Sequence, residues 1–165
     1  MENEISGSVQ SYLTFKIGNE VFATHVSVVL NIIEVMDITK VPHAPVYMKG
    51  IVNLRGMVLP VIDTRLKLGM PETQFTEKTC IIVMDIMLDG ELVHLGVLVD
   101  EVSEVLIIDK ANIEPAPSIG GVYKSKIIKG ISRVDNKLIM IIDVIHLFSE
   151  DELFSLSSLN KSLAQ

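Results

Sequence analysis

The sequence predicts a mainly β protein: two packed five-stranded barrels, short helices and a C-terminal helix. Three observations lead there. Valine fills 20 of the 165 positions and isoleucine 21, so a quarter of the chain is stiff at χ1 and favours strands. Turn signals recur between short apolar runs. The chain also repeats itself, at offsets of 73 and 80 residues.

Tyr12–Ile17 alternates, with Leu13, Phe15 and Ile17 on one face, and stops at Gly18-Asn19. Val21-Phe22-Ala23 then returns as the second half of a hairpin. Ser27 is placed to cap a helical stretch over Val28–Ile33. Pro42 and Pro45 mark an extended loop. Met48–Asn53 and Met57–Asp63 are strands around Asn53-Leu54-Arg55-Gly56, and Pro60 predicts that the second is an edge or bulged strand. Thr64–Leu68 reads as a short helix ended by Gly69 and Pro71. Cys80–Ile86, Leu92–Val99 and Val102–Ile108 are further strands, the first two joined across Asp89-Gly90. Beyond the Pro115/Pro117 loop come Val122–Val134, a turn at Asp135-Asn136, and Leu138–Ile142. From about Asp143, acids at Glu150–Glu152 and apolar Leu153, Phe154 and Leu156 predict an amphipathic helix that returns to the first barrel.

The repeat sets the expected organisation. Lys49-Gly50-Ile51 and Ile62-Asp63 recur 80 residues on as Lys129-Gly130-Ile131 and Ile142-Asp143. The block 23–33 recurs at 96–106, an offset of 73. Each half then reads as hairpin, crossing turn, proline loop, strand, turn, strand. The boundaries expected are a polar tail over about 1–10, a first barrel mainly over about 11–78, a second mainly over about 79–143 and a helical tail over about 144–165. Closure into barrels removes exposed sheet edges.

Charge and composition narrow the function. Lys plus Arg number 14 and Asp plus Glu 21, a net charge of −7, opposite to a nucleic-acid footprint. A small β-barrel that binds single strands is disfavoured further by having only five Phe and three Tyr to stack on bases. The lone Cys80 forms no intrachain disulfide and suits a reducing cytosol. Glu2 and Glu4 in a start without an apolar stretch argue against a secretory signal, so a cytoplasmic protein is expected. No catalytic constellation stands out. His25, His43, His94 and His146 lack ligand spacing, and phosphate-cradling and nucleophile-elbow motifs are missing, so neither metal nor cofactor is called for. Asp63 and Asp143, at equivalent strand ends, allow an acid–base pair, but the plainer reading is that each caps the turn that follows. In the turn Asn53–Gly56, Gly56 supplies the positive φ a tight hairpin needs, so it is a structural residue. Arg55 is then either an ordinary solvated turn arginine or a fork held out for a carboxylate or carbonyl.

The segment Lys49-Gly50-Ile51-Val52-Asn53-Leu54-Arg55-Gly56-Met57-Val58-Leu59-Pro60-Val61-Ile62-Asp63 closely resembles the signature of the CheW-like family of chemotaxis coupling proteins. The resemblance extends through Phe15–Glu20, Gly96–Val105, Ile113–Pro117 and Lys129-Gly130-Ile131, from about Tyr12 to Leu153. It implies SH3-like barrels and a non-enzymatic adaptor, without catalytic residues or cofactor. Its partners would be the cytoplasmic tip of methyl-accepting chemotaxis receptors and the regulatory domain of the histidine kinase CheA, with the membrane reached only through receptors. The matching positions of the receptor groove, between the barrels, are Val29, Ile32, Gly50, Asn53, Arg55, Val102 and Val105. The kinase contact would lie mainly on the first barrel. Asn31 departs from the pattern: many members carry glutamate there, a partner for the turn arginine. Glu34 and the repeat-equivalent Glu104 are the nearest substitutes. A CheW-like scaffold of a non-motility pathway is the alternative within the family.

Overall fold

The computed structural model describes residues 8–88, 90–116 and 127–163. Among these residues the strands are β1 Val9–Ile17, β2 Glu20–His25, β3 Val29–Glu34, β4 Met48–Leu54, β5 Met57–Asp63 and β6 Cys80–Leu88. They continue with β7 Glu91–Val99, β8 Glu101–Asp109, β9 Ile113–Glu114, β10 Ile128–Val134 and β11 Lys137–Ile142. The α-helices among them are α1, Thr64–Lys67, and α2, Glu150–Leu163, and 3-10 turns cover Val26–Val28, Lys110–Asn112 and Val144–Leu147. Pro117 and the strand residues expected over 122–126 fall outside the described residues.

The two sheets are ordered β8-β1-β2-β11-β10-β9 and β3-β6-β7-β5-β4. Each curls into an SH3-like barrel because the chain leaving one edge bends back onto the other. β8 continues through a 3-10 turn, Lys110–Asn112, into β9, which pairs with β10. Beyond β3, Thr39 bridges Ile51 of β4 with reciprocal backbone hydrogen bonds of 2.9 and 2.8 Å. Gly50 and Gly130 stand at these closures. A Cβ on Gly50 would overlap the Thr39 carbonyl oxygen and lie 2.8 Å from Ile38 Cγ2; one on Gly130 would overlap an Ile113 methyl. The repeated Lys-Gly-Ile marks where each barrel shuts.

The expected division near residue 79 does not hold. One barrel is the continuous stretch 29–99, holding β3–β7, inserted between β2 and β8 of the other. The reason lies in the repeat. Ala23 pairs in parallel with Ile141, and Gly96 with Val61; the offsets of 73 and 80 convert one pair into the other. Each copy's hairpin pairs with the last strand of the other copy, an exchange that leaves every local pattern unchanged.

The helix expected over Val28–Ile33 is a second correction. A 3-10 turn, Val26–Val28, leads at once into β3, and the cap is His25, whose side chain accepts from the Ser27 N–H at 3.1 Å. Val29 and Ile32 are three apart yet share a face because the register shifts between Val29 and Asn31. A bulge adds one residue to the strand period of two. The repeat copy does the same, with Val102 opposite Phe15 and Val105 opposite Leu13 across a shift. Nor is Pro60 on an edge, since β5 lies between β7 and β4. It is tolerated because the parallel ladder to β7 begins one residue later, at Val61.

Each barrel has its own apolar interior, Val52, Leu59, Val61, Ile81, Val83 and Leu98 in the inserted one, Tyr12, Ala23, Ile108, Ile139 and Ile141 in the other. A larger cluster lies between them, where Leu13, Phe15 and Ile17 of β1 meet alternate residues of β6 and β7. One interior position is mismatched. Ser132 is buried and its hydroxyl has no partner among the described residues, whereas the repeat-equivalent residue is Val52. An unsatisfied buried hydroxyl costs about 1–3 kcal/mol. Ser132→Val is therefore expected to stabilise the fold by about 1 kcal/mol, raising the melting temperature by about 3 °C. A lowered melting temperature would show that the hydroxyl is satisfied.

Two charged contacts fasten the remaining parts. Helix α2 opens with a capping box, in which the Ser149 N–H donates to Glu152 Oε1 at 2.8 Å and the Glu152 N–H to Ser149 Oγ at 3.2 Å. Lys67 of α1 donates to both Glu152 oxygens at 2.9 Å while lying over the rings of Tyr47 and Phe148. That places α2 on β5 and β7, in the inserted barrel. The second contact is centred on Asp100, between β7 and β8. Arg65 donates through Nε to Oδ1 at 3.0 Å and through Nη2 to Oδ2 at 2.6 Å, and the Gly18 N–H donates to Oδ2 at 2.6 Å.

Burial works to raise the Asp100 carboxyl, but Arg65 and the Gly18 N–H outweigh it and hold it below the ordinary carboxylate range. Glu152 is lowered too, as the Ser149 and Lys67 hydrogen bonds overcome burial. A carboxylate lowered in the fold contributes stability that is complete above its unfolded value, about 4, and is lost as the pH falls through the folded value. Melting temperature is therefore expected to drop from about pH 4 downward, and Asp100→Asn to flatten that limb. An unchanged acid limb in the variant would remove Asp100 from this account.

Candidate functional site

Apolar residues of both barrels line the seam between them. Val29 and Ile32 on β3 lie opposite Met84 and Ile82, which face the shared cluster. Val102 and Val105 on β8 lie opposite Phe15 and Leu13, also members of that cluster. Val29 and Val102 are half-buried against it, while Ile32 is 41% and Val105 57% exposed. Two bulged strands, one from each barrel, thus raise matching apolar pairs from one floor. Sequence reasoning reached these four residues through the family resemblance and placed the first pair on a helix.

The stripe is longer than the sequence reading made it. Ile107, two residues beyond Val105 in the same strand, is 72% exposed, and Leu30, in the β3 bulge, 53%. The two-residue spacing from Val105 was a signal for Ile107; nothing local announces the bulge at Leu30.

The other assigned residues lie on the hairpin of β4 and β5. Gly50 is buried beneath Thr39 at φ 150°, a structural position rather than a lining one. Asn53 uses its Oδ1 to accept from the Gly56 N–H at 2.9 Å, holding the β4–β5 turn. Gly56 has φ 87°, as the turn requires, but Arg55 at φ 53° is left-handed as well. Both central residues at positive φ give the hairpin geometry that Asp135 and Asn136 repeat at φ 50° and 64°. A non-glycine residue there costs about 1–2 kcal/mol. Arg55 is exposed, and among the described residues no carboxylate lies within ion-pair distance of it. Asn31, exposed on β3, accepts through Oδ1 from the Ile32 N–H. An arginine held in a strained turn without an internal partner is presented outward.

The acid–base reading of Asp63 and Asp143 gives way to capping. Asp63 accepts from the Arg65 N–H and Asp143 from the Ile145 N–H, each in a different barrel. His94 pairs with Asp85 across β6 and β7, and His146 sits 3.9 Å from Asp143. Among the described residues no three His, Cys, Asp or Glu side chains gather as metal ligands would. No helix among them is long and apolar enough to cross a membrane.

Interleaved barrels with an apolar seam and an outward-held turn suit a protein of the scaffold class. The chain belongs to the CheW-like domain family, whose model matches residues 11–152. It is 36% identical over 140 residues to a probable chemotaxis protein CheW of Rhizobium etli, covering 85% of this chain and 88% of that one. It is 34% identical over 136 residues to the chemotaxis protein CheW of Bacillus subtilis, covering 81% and 83%. Among solved structures it resembles the scaffolding protein TtCheW of Thermoanaerobacter tengcongensis, with a TM-score of 0.74, 31% identity, and 85% and 88% of the two chains covered.

Proposed function

We propose that this protein is a non-enzymatic cytoplasmic adaptor that couples methyl-accepting chemoreceptors to the histidine kinase CheA. Family membership supports the role. The observation that carries the site is the pair of apolar stripes, Val29/Ile32 and Val102/Val105, rising on either side of the shared cluster. An amphipathic receptor helix buries its apolar face in such a seam, and the outward Arg55 supplies a fork for a carboxylate or helix-end carbonyl. Gly50, Asn53 and Gly56 act on this surface through the hairpin and the barrel closure.

The test is binding of a receptor-tip fragment and of the CheA regulatory domain, with calorimetry against ATP as the enzymatic control. Arg55→Asn places a residue that tolerates left-handed backbone at the strained position, so the melting temperature should hold or rise. Receptor-tip affinity should fall about thirty-fold, the effect of losing a desolvated interface arginine worth about 2 kcal/mol. Gly56→Val should do the reverse, straining the turn while leaving the guanidinium in place. Unchanged receptor affinity in Arg55→Asn removes the arginine from the site, and tight ATP binding removes the adaptor reading.

A further inference from the structure

The seam is a single surface at only one angle between the barrels, because β3 belongs to one and β8 to the other. The cluster beneath it is apolar and its burial is non-directional, so the angle is left largely to directional contacts. Lys67–Glu152 fastens α2, which follows β11 of the other barrel, to the inserted one. At the seam itself the directional contact is Asp100, at the crossing from β7 into β8, two residues before Val102. Its carboxylate receives the Arg65 fork from the inserted barrel and the Gly18 N–H from the β1–β2 turn of the other. Its own N–H donates to the Lys16 carbonyl at 3.1 Å. Gly18, at φ 64°, also lies so close to Met70 that a Cβ would come within 2.9 Å of its methyl. Side chains of Arg65 and Asp100 are only 23% and 21% exposed, so solvent screens the pair weakly.

Among the described residues the other crossing, from β2 into β3, shows no such tie: Ser27 stands at the repeat-equivalent of Asp100, and its hydroxyl bonds to His25, two residues away, at 2.8 Å. A further ion pair near the Asp100 crossing, Lys78 with Glu101 at 3.9 Å, is open to solvent on the lysine side, and such pairs contribute little.

We propose that the Arg65–Asp100–Gly18 clamp sets the angle between the barrels and so holds Val29 and Ile32 in register with Val102 and Val105 for one receptor helix. Asp100 and Arg65 are then positioning residues for the receptor site, and this rests on the receptor reading of the seam. Bidentate arginine–carboxylate geometry suits the task, because the fork fixes orientation as well as distance.

The test uses the full chain, isotope-labelled, as wild type, Asp100→Asn, Arg65→Lys and Val105→Glu. Residual dipolar couplings report the orientation of each barrel, and titration with a soluble chemoreceptor-tip fragment reports affinity. In Asp100→Asn, each barrel should still fit its own couplings while one common alignment no longer fits both. Fragment affinity should fall about tenfold, the scale at which positions outside a site act on it. Arg65→Lys keeps the charge without the fork and should show the same split; it decides the matter if Asp100→Asn does not fold. A common alignment for both barrels in the folded variants overturns the proposal, and so does a split alignment with unchanged affinity. Val105→Glu tests the surface itself. Unchanged affinity there overturns the receptor reading and the positioning role with it, while the couplings still decide whether the clamp sets the angle.

Discussion

Gly50→Ala is expected to destabilise the protein by about 3–5 kcal/mol, through two costs that add. The first is conformational: φ 150° at Gly50 lies where L side chains rarely go, and such strain costs about 1–3 kcal/mol. The second is steric. The new Cβ would overlap the carbonyl oxygen of Thr39, which is held in the bridge that closes the barrel and has no rotamer to change. Overpacking of this kind costs about 1–3 kcal/mol more. Against a total of about 5–15 kcal/mol this is a large share, and the melting temperature should fall by about 10 °C or more. Gly130→Ala is the internal control. Gly130 has no positive φ, and its Cβ would meet a methyl of Ile113, a side-chain rather than a backbone atom, and the Glu114 carbonyl oxygen at 3.0 Å. About 1–2 kcal/mol is expected there. Urea unfolding of both variants checks the order. Equal losses would mean that crowding alone, and not the backbone conformation at Gly50, dictates glycine.

That contrast bears on what the sequence could and could not tell. The hairpin turns were legible because their chemistry is local: Asn53–Gly56 and Asp135-Asn136 are turns by residue type, and β5 spans Met57–Asp63 as expected. The bulges were not legible. Val29 and Ile32 repeat at three, a spacing a helix also produces, and only the β6 partner strand reveals that one residue was inserted into a two-residue period. The run Val28-Val29-Leu30-Asn31-Ile32-Ile33 holds four β-branched residues, so strand propensity was the better guide there. The interleaving was hidden for a different reason. Pairing Ala23 with Ile141 and Gly96 with Val61 satisfies the same patterns as the tandem arrangement would, and nothing local distinguishes the two. The clamp joins residues 35 and 82 positions from Asp100, beyond any motif. All seven groove positions came from the resemblance; Val29, Ile32, Val102 and Val105 lie opposite members of one cluster, whereas Gly50 is better explained by barrel closure.

Asp63→Ala should show how far two copies of one motif can diverge. Asp63 ends the last strand of its repeat and Asp143 directly follows the last strand of its own, and each caps the turn after it. Asp63, however, is fully buried, and its carboxylate also accepts from Thr73 Oγ1 at 2.7 Å and the Thr73 N–H at 3.0 Å, with Lys49 Nζ at 3.9 Å. Removing it leaves the Arg65 N–H, the Thr73 N–H and the Thr73 hydroxyl without their acceptor, and hydrogen bonds to a charged group contribute about 1.5–3 kcal/mol each. Partial rehydration of the loop at Thr73 offsets some of this, so about 3–4 kcal/mol is expected, with faster proteolysis near Thr73. Asp143 is half-exposed, caps at 3.3 Å and has Lys129 and His146 at 3.7 and 3.9 Å, both open to solvent. Its loss removes one N-cap, about 1 kcal/mol. Chemical denaturation of the two alanine variants, with limited proteolysis of each, measures both quantities. Matching losses, or a Thr73 segment no more sensitive to protease in Asp63→Ala, would mean that the buried carboxylate only caps α1 and that the segment is held by other contacts.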